Sequence, residues 1–169
     1  MKKITIYFLA IMGVIACAAC NNKKPVIAIE QDNSSLVKEN MINANRVVIQ
    51  SEYTQIESYV NRRGWKMSQL PSGALFMTYK HGQEGAIAPE DRLEVTYRLE
   101  GLDGTPIYTC QIDTLTVGKR EVTVALDEML QQLTYGSQAW LIAPSNSAYG
   151  VVGDGDRVQS RTVIIYNVK

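Results

Sequence analysis

The spacing of apolar side chains changes twice along the chain. Residues 4 to 16 form an apolar run behind Lys2 and Lys3. From about Ser34 to Arg63, Ile42, Ile49, Tyr53, Ile56 and Val60 recur at helical intervals among Glu, Lys, Arg, Asn and Gln, which predicts an amphipathic helix. Asp32, Asn33, Ser34 and Ser35 are candidate N-caps, and Arg62-Arg63-Gly64 places cations before a glycine stop. Beyond Pro71-Ser72-Gly73 the period falls toward two. Strands are predicted at Ala74 to Lys80, Arg92 to Leu99, Ile107 to Ile112, Thr114 to Val117, Gln138 to Ala143 and Arg161 to Val168. Asp103-Gly104 between the second and third is a strong hairpin signal. One short helix interrupts the strands at Ala125 to Leu133, with Asp127 and Glu128 near its start and Tyr135-Gly136 after it. The expected fold is α+β: a mostly antiparallel sheet carrying one short helix, preceded by the N-terminal helix.

The first twenty residues have the layout of an export signal: basic residues, an apolar run too short for a comfortable membrane span, then small residues ending at Cys20. Removing residues 1 to 19 leaves about 150, enough for one folded domain. Residues 20 to 33 read as a polar tether, 34 to 64 as the N-terminal helix and 68 to 169 as the domain. Seventeen basic and seventeen acidic side chains cancel, so nothing favours nucleic acid as a partner. A hydrophobic content of 46% excludes a disordered chain. After processing at Cys20 only Cys110 remains, so no intramolecular disulfide is available, and Cys110 reads as a buried packing residue.

Other motifs favour plain readings. Asp154-Gly155-Asp156 lacks the remaining ligands of a calcium loop and reads as a polar turn. Gly150, Gly153 and Gly155 lack the strand-to-helix context of a dinucleotide site. His81, beside Gly82, reads as a solvated loop residue. Trp65 and Trp140 read as packing residues, with Trp65 covering the junction between helix and domain. No metal or cofactor is expected.

From Leu70 to Val168 the chain resembles the FKBP-type peptidyl-prolyl isomerases. Leu126 to Gly136 (LDEMLQQLTYG) is similar to the short helix of that family and its closing glycine, and Ala139 to Gly150 (AWLIAPSNSAYG) to its strand leading into Ala-Tyr-Gly. Val95-Thr96-Tyr97, Asp103-Gly104 and Ser72-Gly73-Ala74-Leu75 resemble the Val-x-Tyr strand, the hairpin and the entry strand. The segment ending at Cys20 resembles a lipobox, whose cysteine receives diacylglycerol, although Cys17 stands where an aliphatic residue is usual. A helix on a lipid tether ahead of such a domain is similar to the FKBP-type lipoproteins, some associated with gliding motility.

The resemblance implies an antiparallel twisted sheet wrapped around one short helix. It also implies a proline-binding hollow walled by Tyr97 and Tyr166, with Val122 and Thr123 at the edge that meets the peptide backbone. Tyr149 would offer its hydroxyl to a substrate carbonyl, and Ile107, Leu126 and Val158 would complete the binding surface. In the family's pattern Leu126 stands where most active members have a tryptophan floor, Tyr108 where they have a pocket aspartate, and Asp113 at a usual aromatic position. The loop after Tyr149, VVGDGDRVQS, lacks the Ile-Pro-Pro of the family. The implied function is peptidyl-prolyl isomerisation, weak or selective, on proline-containing exported polypeptides. The implied setting is the cell envelope, with a lipid anchor, the outer membrane favoured, and the N-terminal helix as a candidate face for a homodimer. The alternative is a binding or chaperone-like module that uses the same cleft without catalysis, or a subunit of an envelope complex.

Overall fold

The computed structural model describes residues 30–83 and 85–169, with side chains from Ser34 onward. The export signal, Cys20 and most of the tether lie outside the described residues. Helix α1 (Glu30–Arg63) is followed by strands β1 (Ser68–Gln69), β2 (Leu75–Lys80), β3 (Arg92–Gly101) and β4 (Pro106–Thr116). Helix α2 (Val124–Leu130), β5 (Gln138–Ala143), a 3-10 turn (Ser145–Ser147) and β6 (Ile164–Val168) complete the chain. The six strands form one antiparallel sheet in the order β1-β2-β5-β6-β3-β4. The fold is α+β, with one short helix packed on the antiparallel sheet, as expected.

Residues 43–169 form one compact unit, and the chain up to Ile42 another. In the latter, Leu36, Val37, Met41 and Ile42 are exposed. Helix α1 begins before Asp32, Asn33, Ser34 and Ser35, which therefore lie within it instead of capping it. In the compact unit its buried stripe is Glu52, Ile56, Tyr59 and Val60, with Ile56 only 1% exposed.

The strands β5 and β6 read as almost continuous apolar runs because both faces of the sheet are covered. Ala139, Leu141, Ala143, Ile164, Tyr166 and Val168 point into the cluster that holds α2 residues Ala125, Leu126, Met129 and Leu130. The alternate residues Ile142, Val163 and Ile165 meet Ile56, Tyr59 and Val60 of α1 on the other side. Trp65 and Trp140 join that second layer, their ring centroids 5.3 Å apart. Trp65 packs at the end of the helix against the sheet, as its position suggests. Glycine is required at the β1–β2 turn: Gly73 has φ +84, and a Cβ there would lie 2.0 Å from the Tyr53 hydroxyl oxygen.

The two strands expected at Ile107 to Ile112 and Thr114 to Val117 are one, β4, paired with β3 and carrying a bulge opposite the Tyr97 to Leu99 step. The Asp103-Gly104 hairpin forms as expected. The Asp103 carboxylate accepts from the Thr105 amide at 2.9 Å, and Gly104 takes φ 82. Cys110 is exposed, which corrects the buried reading. The alternation along β4 turns Cys110, Ile112 and Thr114 outward together, and β4 is an edge strand with neither helix over that side of it.

Candidate functional site

Five segments of the chain bring the expected site residues together. Tyr97 on β3 and Tyr166 on β6 project from adjacent antiparallel strands to the α2 side, and their rings meet edge to face at 5.6 Å between centroids. From below, α2 supplies Leu126, and its N-terminal flank supplies Val122 and Thr123. Ile107 and Tyr108 on β4, and Tyr149 after the 3-10 turn, pack against the same cluster from its rim. The back wall is closed: Leu126 and Tyr166 are each 1% exposed, and Tyr97 is buried. Ile107, Tyr108, Val122, Thr123 and Tyr149 are half-buried, so this rim is the side from which a ligand could reach the hollow. Val158 is buried in the same cluster and anchors the long loop from beneath.

Four tyrosine hydroxyls surround the hollow, and their protons are differently committed. Tyr97 donates to the Asp113 carboxylate. Burial, that hydrogen bond and the nearby carboxylate charge hold the Tyr97 phenol far above its ordinary range. Tyr108 donates to Asp154 at 2.6 Å, with Asp156 at 3.2 Å, and the same carboxylates push its phenol up to about 12. The Arg157 guanidinium lies 5.4 Å from the centre of the Tyr108 ring. The Tyr166 hydroxyl lies 3.0 Å from the Thr123 hydroxyl and beside that of Tyr149, with burial raising it strongly. Tyr149 is also raised by burial, with Tyr166 acting in the opposite direction.

Asp113 changes the reading of the pocket. Sequence position put a tyrosine where the family has a pocket aspartate, and put Asp113 at an aromatic position. The structure places Asp113 one step diagonally from Tyr97 across the β3–β4 ladder, opposite Val95. A carboxylate therefore reaches the Tyr97 hydroxyl from a different residue. The period-two alternation of β4, which puts Asp113 and Leu115 on one face, was the signal that could have located it.

The loop after Tyr149 is tied down by its own polar groups. The Asp154 carboxylate accepts from the amides of Asp156 at 2.9 Å and Val158 at 2.8 Å. Burial works to raise Asp154, but the Tyr108 bond and these amides outweigh it and hold the carboxyl below its usual range. Gly153, with φ +78, is pressed against the Val158 carbonyl, where a Cβ would approach to 2.1 Å. At the base of the segment leading to Tyr149, the buried Glu52 carboxylate accepts from the Ser145 amide at 2.9 Å and its hydroxyl at 2.7 Å. Neither Asp154 as a partner for Tyr108 nor Glu52 as a partner for Ser145 was legible in the sequence, since each bond joins positions far apart in the chain. Among the described residues no cluster of metal-ligating side chains is present. His81 is exposed.

Geometrically, the site offers a packed cluster with aromatic walls, a leucine at its base and half-buried tyrosines at its rim. Those features suit binding of a non-polar ring beside a carbonyl, with no nucleophile required. No curated protein matches the chain. Among solved structures, the chain is similar to a peptidyl-prolyl cis-trans isomerase from Pseudomonas syringae pv. tomato. The TM-score is 0.61 and the identity 22%, covering 73% of this chain and 91% of that one. It is also similar to AtFKBP13, with a TM-score of 0.56 and 18% identity over 62% of this chain and 96% of that one. At these identities the likeness speaks for the fold. The family model described as FKBP-type peptidyl-prolyl cis-trans isomerase matches residues 83–169, just over half of the chain and the part that carries nearly every wall of the hollow. The chain belongs to the FKBP-type peptidyl-prolyl cis-trans isomerase family.

Proposed function

We propose that this chain is a working, though weak or selective, prolyl isomerase that acts on proline-containing exported polypeptides. In this reading it assists folding in the cell envelope and is held to a membrane, the outer membrane favoured, by a lipid on Cys20. The observation that carries the catalytic part is the Tyr149 hydroxyl at the rim of the Tyr97–Tyr166–Leu126 recess. An X-Pro bond rotates over a barrier of about 18–20 kcal/mol because rotation breaks amide resonance. A recess that excludes water and a donor for the carbonyl of the rotated amide favour the twisted form over the planar one. The proline ring would sit against Tyr97, Tyr166 and Leu126, with Ile107, Val122 and Val158 shaping the surroundings. The edge at Val122 and Thr123 would meet the peptide backbone.

Leucine at the base removes part of the roughly 150–250 Å² contact that an aromatic residue would bury. A loss of about 1.5–3 kcal/mol in transition-state binding lowers the rate about 10- to 100-fold. The same leucine favours the second reading, a module that holds proline segments without accelerating their rotation. Isomerase kinetics on a proline peptide, using the purified chain in detergent, separates the two. Catalysis requires measurable turnover that falls about tenfold in Tyr149→Phe with peptide affinity little changed. Saturable binding with an unaltered slow phase establishes the holding module instead. The anchor is tested separately: labelled palmitate should enter the native chain and be lost in Cys20→Ala, and equal labelling of both would remove Cys20 from the proposal.

A further inference from the structure

We propose that the open edge of β4 at Ile112 and Thr114 is a second binding site, where a basic, extended segment of the proline-bearing polypeptide adds as a further strand beside the recess. This inference rests on the isomerase reading above and names what flanks the proline in its substrate.

The open groups follow from the hydrogen bonds at the end of the strand. The Val117 amide donates to the Asp91 carbonyl at 3.0 Å, on the β3 side. One residue back, the Thr116 amide points the other way and donates to the Glu121 carboxylate at 2.8 Å. The Thr116 carbonyl accepts from the Lys119 amide at 3.2 Å, so the chain itself closes the edge at this point. The register is unbroken from the Arg92–Thr116 pair to the Tyr97–Gln111 pair, and the alternation therefore carries back along β4. Asp113 and Leu115 face β3, whereas Ile112 and Thr114 turn their amides and carbonyls away from it. The sheet ends at β4, and among the described residues nothing pairs with those groups.

Natural sheets blunt such an edge with a very short strand, with Lys or Pro, or with a bulge. The opposite edge, β1, is two residues long. In β4 the register shifts fall opposite Tyr97 to Glu100 and guard only the first half of the strand. From Ile107 to Thr116 there is no Lys, Arg or Pro, and Cys110, Ile112 and Thr114 are exposed. Unpaired amides and carbonyls in this arrangement are complementary to another extended backbone.

Position and charge select which backbone. Tyr97, a wall of the recess, pairs with Gln111, so the open stretch starts one strand spacing, about 4.8 Å, from that wall. A polypeptide with its proline in the recess can therefore continue along β4. Asp113 borders the stretch on the recess side, Glu94 lies opposite Thr114 and Glu121 stands at the end, against Arg92 opposite Thr116. That balance favours Lys or Arg in the added segment. A second copy of this chain fits worse. Bonding Ile112 and Thr114 reciprocally across a two-fold axis would set Asp113 directly against its own copy.

The test uses the full chain in detergent and two probes: a tetrapeptide holding one X-Pro bond, and a twelve-residue peptide with the same bond flanked by alternating Lys and Val. Amide hydrogen exchange is read by NMR. Saturating long peptide should slow exchange at Ile112 and Thr114 by about tenfold or more, and the tetrapeptide should not. Thr114→Pro removes an outward amide and no bond to β3, so affinity for the long peptide should fall about 3- to 10-fold. Thr114→Val, which keeps the amide, should bind it as the native chain does. Exchanging Lys for Glu in the peptide should weaken binding about threefold or more, and added salt should narrow that gap. Unslowed exchange at Ile112 and Thr114, or equal slowing by the tetrapeptide, would overturn the site. Slowing that needs no peptide and rises with protein concentration, with a dimeric mass in sedimentation, would assign the edge to a second copy and overturn it as well. Turnover without protection leaves the isomerase reading standing and removes the edge; protection without turnover does the reverse. Should Thr114→Pro fail to fold, exchange in the native chain decides.

Discussion

The two faces of the sheet are built from alternate residues of the same strands, but they solve different problems. On the α1 side, Ile142, Val163 and Ile165 meet Ile56, Tyr59 and Val60, and the aromatic pair Trp65–Trp140 extends the seal. On the α2 side the apolar packing is larger, yet it is interrupted at one end by hydroxyls and carboxylates from Tyr97, Asp113, Thr123, Tyr149 and Tyr166. One face is sealed by non-directional packing; the other gives up continuity at a single spot to place polar groups in fixed directions. Burying apolar surface can be done by many side chains, whereas directing a proton requires particular atoms at particular distances. Stability and chemistry are thereby divided between alternate positions of β5 and β6.

Ile56→Ala breaks this division most strongly if it is wrong. The change empties a buried site on the α1 face and should destabilise the chain by about 2–5 kcal/mol in a denaturant titration. Peptide affinity measured on the folded fraction should stay as it was. A matched loss of affinity would mean that the two faces are coupled through the sheet. Tyr108→Phe sharpens the comparison from the other side with a smaller effect. It removes the bond that ties β4 to the loop after Tyr149. Carbon-13 titration should then find Asp154 closer to the ordinary carboxylate value, with faster amide exchange at Asp156 and Val158.

The same latch has a defined pH window. Asp154 is held low in the fold, so its contribution is present above the ordinary carboxylate pKa near 3.9 and fades as pH falls through its lower native value. Tyr108 is raised to about 12, so its contribution is complete below its ordinary value near 10 and fades as pH climbs toward 12. Between roughly pH 4 and 10 the latch should therefore be insensitive to pH.

Much of this architecture is readable from local pattern. The period change after Pro71-Ser72-Gly73 separates helix from strands, and Asp103-Gly104 specifies its hairpin through a side chain two residues from the amide it accepts. The residues of the recess could be named because short motifs around Tyr97, Leu126 and Tyr149 resemble a known order. What was hidden depends on pairing between distant positions. Cys110 looked buried because an unpaired cysteine is usually a packing residue, but only the sheet order reveals β4 as an edge with an outward row at 110, 112 and 114. Asp113 looked like a loss, a charge where an aromatic belonged, until the register of β3 on β4 brought it to Tyr97. Tyr59, three residues after Ile56, was not named in the predicted helical stripe, yet it is buried, with the Arg63 guanidinium 4.4 Å from the centre of its ring.

The bond from Glu52 to Ser145 bears on where the molecule can be cut. Ser145 opens the turn that leads to Tyr149, and the Gly150 amide returns to its carbonyl at 2.7 Å. Trimming the chain to residues 83–169 would delete Glu52 and β2 together, leaving β5 as a raw margin and the Tyr149 segment without its bracket. The smallest piece that keeps the hollow in shape therefore begins inside α1, well ahead of the stretch by which the family is recognised.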